Sequence, residues 1–231
     1  TNSIITSFNS ELLKQRGSNV TLVSKFRNIN IEYAYWYNPS LIFKNYMVPG
    51  ILVILVTLMG MFLSALNLVR EKEIGTIEQI NVTPIKKYQF IVSKLFPIWT
   101  IALFELAFGL FLGKLLYNIP FEGSILVLFS FAAVYLITAL GFGLFLSAIS
   151  NTQQQVMFMA FFFMITFILM SGIFTPAESM PQWAQEINRL NPVAYFMRVI
   201  RMIILKGSGF RHIWQDFVYM TIFGISILGL A

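Results

Sequence analysis

The sequence predicts an all-α, polytopic membrane helix bundle with a remnant of an α/β extracytoplasmic subdomain at its start, and three observations carry that prediction. Of 231 residues, 57% are apolar and only 11% are charged, and the mean hydropathy is +0.74, well outside the range of soluble domains. The 24 Phe and 11 Met exceed what one soluble core could hide. Uncharged stretches recur at the length a bilayer demands, since a hydrocarbon core of ~30 Å takes about 20 helical residues. The excess of 16 Lys and Arg over 10 Asp and Glu then reflects headgroup-facing segments and argues for membrane lipid, with no nucleic acid, as the partner. The absence of Cys and the single His, His212, exclude disulfides, zinc–thiolate sites, iron–sulfur clusters and thiol nucleophiles, so no metal site is expected.

Residues 1–46 read as soluble, with an amphipathic helical stretch near Ile4 to Lys14 and a strand-like alternation around Asn30 to Tyr37. They are expected to be the C-terminal part of the extracytoplasmic subdomain, and 47–231 the transmembrane domain. Span A runs uncharged from Met47 to Val69 and stops at Arg70. Span B, about Phe90 to Tyr117, is interrupted by Lys94, Pro97, Glu105 and Lys114, so a kink is expected in it. A turn at Asn118 to Ser124, with Pro120 and Gly123 as breakers, leads into the uncharged span C, Ile125 to about Ala148. Ser150 to Gln155 is a polar turn, and span D runs from Val156 to Phe174, rich in Phe and Met, ending at Thr175–Pro176.

The stretch 176–216 is neither loop nor span. Trp183, Ile187 and Leu190 fall at i, i+4 and i+7 after Pro181, the pattern of a short amphipathic helix. A second helical pattern runs from Asn191–Pro192 to Lys206 with Gly207 as its stop, and Arg198 and Arg201 share one face of it at i, i+3. The pair predicts a helical hairpin dipping into one interface. Span E begins at Phe217 and reaches only Ala231, too short to cross. With Thr1 in first place, the chain reads as cut at both ends.

These spans put Arg70 to Lys94 and Ser150 to Gln155 on one side, and the N-terminal segment, Asn118 to Ser124 and 176–216 on the other. A raw count of Lys and Arg favours the second side as cytoplasmic. The positive-inside rule weakens, however, for segments that fold as domains or lie in the interface, and both large second-side segments do.

Between spans A and B lies the one charge-dense inter-span stretch with helix, break and helix signals close together, within 70–89. Arg70, Glu71, Glu73, Gly75, Thr76, Glu78, Gln79, Thr83 and Pro84 resemble the R-E-x-E-x-G-T-x-E-Q-x-x-x-T-P motif that comes after the second transmembrane helix of the type-2 ATP-binding-cassette (ABC) exporter permeases. Tyr37-Asn38-Pro39 with Val48-Pro49-Gly50 is similar to that family's approach to the same helix. Gly172 through Pro181 with Trp183, then Asn191-Pro192, Tyr195, Arg198, Arg201, Lys206 and Gly207, resembles its external re-entrant segment. The resemblance covers nearly all of the chain and lacks only the family's first helix and the front of its external domain.

The resemblance implies that spans A to E are the family's second to sixth helices, in the cytoplasmic membrane of a bacterium, with Arg70 to Lys94 facing the cytosol against the raw charge count. It implies a permease that is not itself an enzyme. Its partners would be separate ABC ATPase (nucleotide-binding) subunits and a second permease subunit, as homodimer or heterodimer. The cofactors, ATP and Mg, would be bound by the ATPase and none by this chain, in which no Lys is followed by the Ser or Thr of a Walker A loop. Glu71, Glu73, Glu78 and Gln79 would meet basic or donor groups of the ATPase, with Arg70 beside them. Gly75 would let the backbone turn, Thr76 would cap the coupling helix, and Pro84 would end it. The transported substrate would be hydrophobic or amphipathic, drug-like, lipid or lipid-linked.

Inside the membrane, Thr57, Gly60, Ser64 and Asn67 fall at i, i+3, i+7 and i+10. This small and polar stripe serves either tight packing within one subunit or the dimer interface and substrate path. Phe161 and Met164 belong to a soft, polarisable surface on span D, suited either to varied apolar ligands on the substrate path or to lipid contact and packing. Gly109-x-x-x-Gly113 permits close helix approach. Glu105, a carboxylate near mid-bilayer, is either hydrogen-bonded to a neighbouring helix or part of substrate handling. In the latter case a rival function is open, an ATP-independent secondary transporter using that carboxylate. Lys94 lies on nearly the same face but roughly 16 Å along the axis, so it is expected to snorkel to headgroups, as is Lys114 at the other end. Arg198, Arg201, Lys206 and Arg211 are expected to be headgroup contacts, and His212 an interfacial polar residue.

Overall fold

A computed structural model of the chain describes residues 43–77, 84–174 and 179–230, all within one compact unit, Tyr35–Ala231. The helical stretch near Ile4 to Lys14, the alternation at Asn30 to Tyr37, Tyr37-Asn38-Pro39, and Glu78, Gln79 and Thr83 of the charged motif lie outside the described residues. Within them the secondary structure is helical throughout, with no strand. The elements are α1 (Phe43–Thr57), a π-helical turn (Leu58–Phe62), α2 (Leu63–Ile74), α3 (Lys87–Tyr117), α4 (Ile125–Ile149), α5 (Gln153–Met170), α6 (Gln182–Asn188), α7 (Pro192–Lys206) and α8 (Phe210–Leu230). Five of the resulting helices are long and apolar enough to cross a membrane: Lys44–Ile74, α3, α4, α5 and α8. The molecule is an all-α, multi-pass membrane bundle.

The helix boundaries arise from local chemistry. Asn191 accepts a hydrogen bond from Val193 N at 3.0 Å and starts α7 with Pro192 in its first turn. Gly207, at φ 64°, ends it by donating back to Ile203 and Met202. Thr152 caps α5 by accepting from Gln155 N at 3.3 Å. The helix α3 runs unbroken through Pro97 for 31 residues.

Three spans differ from expectation. The last helix starts at Phe210 rather than Phe217 and is 21 residues long, enough to cross. Asp216 argues for a loop there by composition, but its carboxylate takes a hydrogen bond from Arg198 Nη1 at 3.2 Å, which lets a charged residue sit buried inside the helix. Span A continues past Arg70 to Ile74 because Glu71, Lys72 and Glu73 also find partners on other helices. Span D stops earlier than Phe174, at Met170, and turns at Gly172, whose φ is 84°.

Between helices in lipid there is little hydrophobic driving force, so close backbone approach and polar contacts decide the packing. The central helix is α4, flanked by α2, α3, α7 and α8. The polar stripe of span A is spent on it: Thr57 pairs with the Tyr135 hydroxyl, a methyl at Gly60 would meet Leu136 and Ala139 at 3.1 Å, and Ser64 Oγ donates to Leu140 O at 3.3 Å. Thr57, Gly60 and Ser64 are therefore buried against α4, as tight packing within one subunit requires. Of the four, Asn67 alone is half-buried. The Gly109–Gly113 pair lets α3 lie against Leu52 and Val48 of α1. Tyr135 also stacks on Phe196 of α7 with ring centres 4.4 Å apart, and Phe131 contacts both Phe196 and Phe217.

The second helix of the hairpin is thus part of the core. Val193, Phe196, Met197, Val199, Ile200 and Ile203 are all buried, and α7 touches α1, α4, α5 and α8. The first helix of the hairpin, the short α6, keeps Trp183 and Ile187 exposed, as does Leu190 in the turn after it, as an interfacial segment would.

Candidate functional site

At the charged end of span A, where the resemblance implies that Glu71 and Glu73 meet groups of an ATPase, each of the consecutive charged side chains from Glu71 to Glu73 reaches a different helix. Glu71 Oε1 accepts from Lys94 Nζ of α3 at 2.6 Å, both side chains being half-buried. Thr76 donates its hydroxyl to the backbone carbonyl of Glu71 at 2.9 Å and to the other oxygen of the same carboxylate. Lys72 Nζ donates to the carbonyls of Ala148 at 3.0 Å and Ser150 at 2.8 Å, at the C-terminal end of α4. Glu73 Oε2 accepts from the backbone N–H of Gln153 at 3.1 Å and from its side-chain amide at 2.8 Å, at the N-terminal end of α5.

The electrostatics match the peptide dipoles. The free carbonyls that end a helix carry partial negative charge and attract a cation; the free N–H groups that start one attract an anion. Lys72 and Glu73 satisfy one end of each. Gly75 closes α2 at φ 84°, its N–H shared between Glu71 O and Lys72 O, a conformation a side chain would strain. Pro84 is exposed, and α3 begins at Lys87 with Gln89 accepting from Lys86 N at 3.1 Å. Arg70 stays exposed.

Lys94, expected to snorkel to headgroups, is instead the partner of Glu71. Its spacing along span B invites comparison with Glu105, whereas the carboxylate it meets comes from the preceding span. Thr76, expected to cap a coupling helix beyond Gly75, directs its hydroxyl back to Glu71.

At the opposite end a second polar cluster forms. Arg201 Nη1 donates to Gly172 O at 3.0 Å, the Tyr46 hydroxyl donates to the same carbonyl at 3.0 Å, and the Arg201 guanidinium lies 3.7 Å from the Tyr46 ring centre. Arg201 is buried and cannot be a headgroup contact, because α7 is packed within the bundle. Arg198, on the exposed side, is paired with Asp216 and lies 5.6 Å from the Tyr195 ring centre.

Of the remaining intramembrane candidates, Glu105 is half-buried, and among the described residues no donor reaches its buried Oε2. Phe161 is exposed and Met164 buried, so the two do not share one surface. Among the described residues no group of three or more His, Cys, Asp or Glu could hold a metal ion.

Residues 1–231 match the family described as ABC-2 family transporter protein. The chain belongs to the ABC-2 transporter family. It is 32% identical over 213 residues to the "probable multidrug ABC transporter permease YbhR" of Escherichia coli K12, covering 92% of this chain and 56% of that one. It is 29% identical over 183 residues to the "probable multidrug ABC transporter permease YbhS" of the same organism, covering 78% and 48%. The "inner membrane transport permease YhhJ", also of E. coli K12, is 27% identical over 219 residues, covering 91% and 58%. The chain thus spans about half the length of the curated relatives it matches. No solved structure matches it.

Within this ABC-2 chain the sequence reading missed three residues of the charged end: Lys72, Lys94 in its actual role, and Gln153. Lys72 falls at an unspecified position of the motif, so the motif gave no reason to single it out. A signal did exist, since a cation and an anion side by side in the last turn of a helix suit the two helix ends of a single polar turn such as Ser150 to Gln155.

Proposed function

We propose that the chain is the membrane-spanning part of a permease subunit whose separate ATPase partners drive export of a hydrophobic or amphipathic substrate across the cytoplasmic membrane. The observation that carries the proposal is the braced end of span A. A push from an ATPase on the segment after Gly75 would act on a helix end tied to α3, α4 and α5 at once, so a local force becomes a movement of several spans. Because Glu71 and Glu73 are occupied within the chain, the ATPase-facing role falls on Glu78 and Gln79, together with the exposed Arg70. No Lys of this chain precedes a Ser or Thr, which leaves ATP and Mg to the partner. The relatives' printed names support transport, and two of them name multidrug transport.

A second reading rests on Glu105, whose buried oxygen lacks a donor among the described residues. A carboxylate placed so in a span could bind a proton or ion in a secondary transporter. Inside-out membrane vesicles holding the full-length protein and its ATPase separate the two. The exporter reading predicts uptake of a hydrophobic fluorescent dye that requires ATP, survives collapse of the proton gradient, and is largely retained in Glu105→Gln. Uptake driven by an imposed proton gradient without ATP, and abolished in Glu105→Gln, would favour the carboxylate.

A further inference from the structure

The charges of the Arg70–Gly75 segment invite assignment to an external partner, yet two of them already have partners of a particular kind. Lys72 binds the carbonyl end of α4, and its sequence neighbour Glu73 binds the N–H end of α5. The two helix ends are those of one turn, Ser150 to Gln153. We infer that Lys72 and Glu73 are positioning residues, a two-sided clamp that makes the α4–α5 turn move as one piece with the end of span A.

Three features support the inference. Each charge sits at the helix end whose dipole it complements, so exchanging the two charges is unfavourable at both ends while conserving net charge. Each side chain makes two hydrogen bonds, which fixes direction as well as distance. The turn is independently ordered, with Asn151 N donating to Gln155 Oε1 at 3.1 Å and Ser150 Oγ donating to Leu146 O at 2.7 Å. A stiff helix end is therefore pinned to a stiff turn. Val156 and Ala160 of α5 also pack with Ala65 and Val69 of α2 in one buried apolar cluster, and the clamp adds directional polar bonds at the charged end of that contact. These two side chains fix the direction in which movement of span A is passed to the α4–α5 turn.

The role in transport rests on the exporter reading; the mechanical link does not. This stretch has no Cys, so labels can be placed at Ile74→Cys and Gln154→Cys, both exposed, in the full-length protein with any cysteines elsewhere replaced. Pulsed electron–electron distance measurement in lipid nanodiscs is expected to give one narrow distribution. It should be unchanged when the ATPase complex is trapped with vanadate. The reversed pair, Lys72→Glu with Glu73→Lys, should broaden it, whereas Lys72→Arg, which keeps the donors, should not. In vesicles the reversed pair should keep ATP hydrolysis but transport roughly tenfold less per ATP consumed, and Lys72→Arg should restore coupling. A narrow distribution in the reversed pair, or a shift on trapping with the clamp intact, overturns the inference. Failure of the exporter reading shows separately, as absence of vanadate-sensitive ATP hydrolysis from the purified complex, and leaves the comparison between variants decisive.

Discussion

Ser64 can reach the carbonyl of Leu140 because residue 143 has no side chain. A methyl at Gly143 would lie 1.9 Å from Ser64 Oγ and 2.4 Å from the backbone oxygen of Met61, and the second of these cannot rotate away. Gly143→Ala is therefore expected to destabilise the α2–α4 contact by about 1–3 kcal/mol, the usual cost of overpacking. Thermal unfolding of the purified protein in detergent measures it. Adding Ser64→Ala should recover part of the loss and not all, since the Met61 carbonyl remains. Gly209→Ala, where a methyl meets nothing within 4 Å, serves as the neutral comparison. The same contact explains why the small and polar stripe of span A is legible as a pattern but ambiguous in meaning. Spacing says which residues share a face, and only the neighbouring helix says what that face meets.

At the level of elements, the spans themselves are readable from apolar runs, because lipid demands length and uncharged composition before anything else. Their ends are not. Charged residues such as Arg70, Glu71 and Asp216 signal a loop by composition, yet the helices continue through them once a partner from another helix supplies the opposite charge to Glu71 and Asp216. The π-helical turn at Leu58–Phe62, which carries Gly60 against Leu136 and Ala139 of α4, is equally invisible in the run of apolar residues. The spacing of Arg198 and Arg201 on one face reads as an interfacial helix for α7. In the structure they part, Arg198 to Asp216 and Arg201 inward to Tyr46 and Gly172. Arg201 thus joins the start of α1, the turn after α5, and α7. Arg201→Gln is expected to cost about 1–3 kcal/mol in thermal unfolding by removing a buried cation–aromatic contact and a charged hydrogen bond. Arg201→Lys should recover less than half, as an ammonium lacks the planar face. A full recovery by Lys would show that charge alone matters there.

For the molecule as a whole, the two ends of the bundle are built on different principles. The end holding Gly172, Arg201 and Tyr46 is closed by part-buried and buried contacts of α1 and α7 with the turn after α5. The end holding Arg70 to Gly75 is closed by charges set on helix termini, with Glu78 and Gln79 further along the same segment. Family membership places transport at the centre of the account, and the central claim is that a separate ATPase engages this second end. Co-purification of the full-length protein from native membranes, with and without Glu78→Lys, tests it most directly. A vanadate-sensitive ATPase is expected to accompany the unaltered protein, to be lost with Glu78→Lys, and to stay bound when Lys72 and Glu73 are exchanged. An ATPase absent from every preparation, or retained with Glu78→Lys and lost on the exchange, would contradict it.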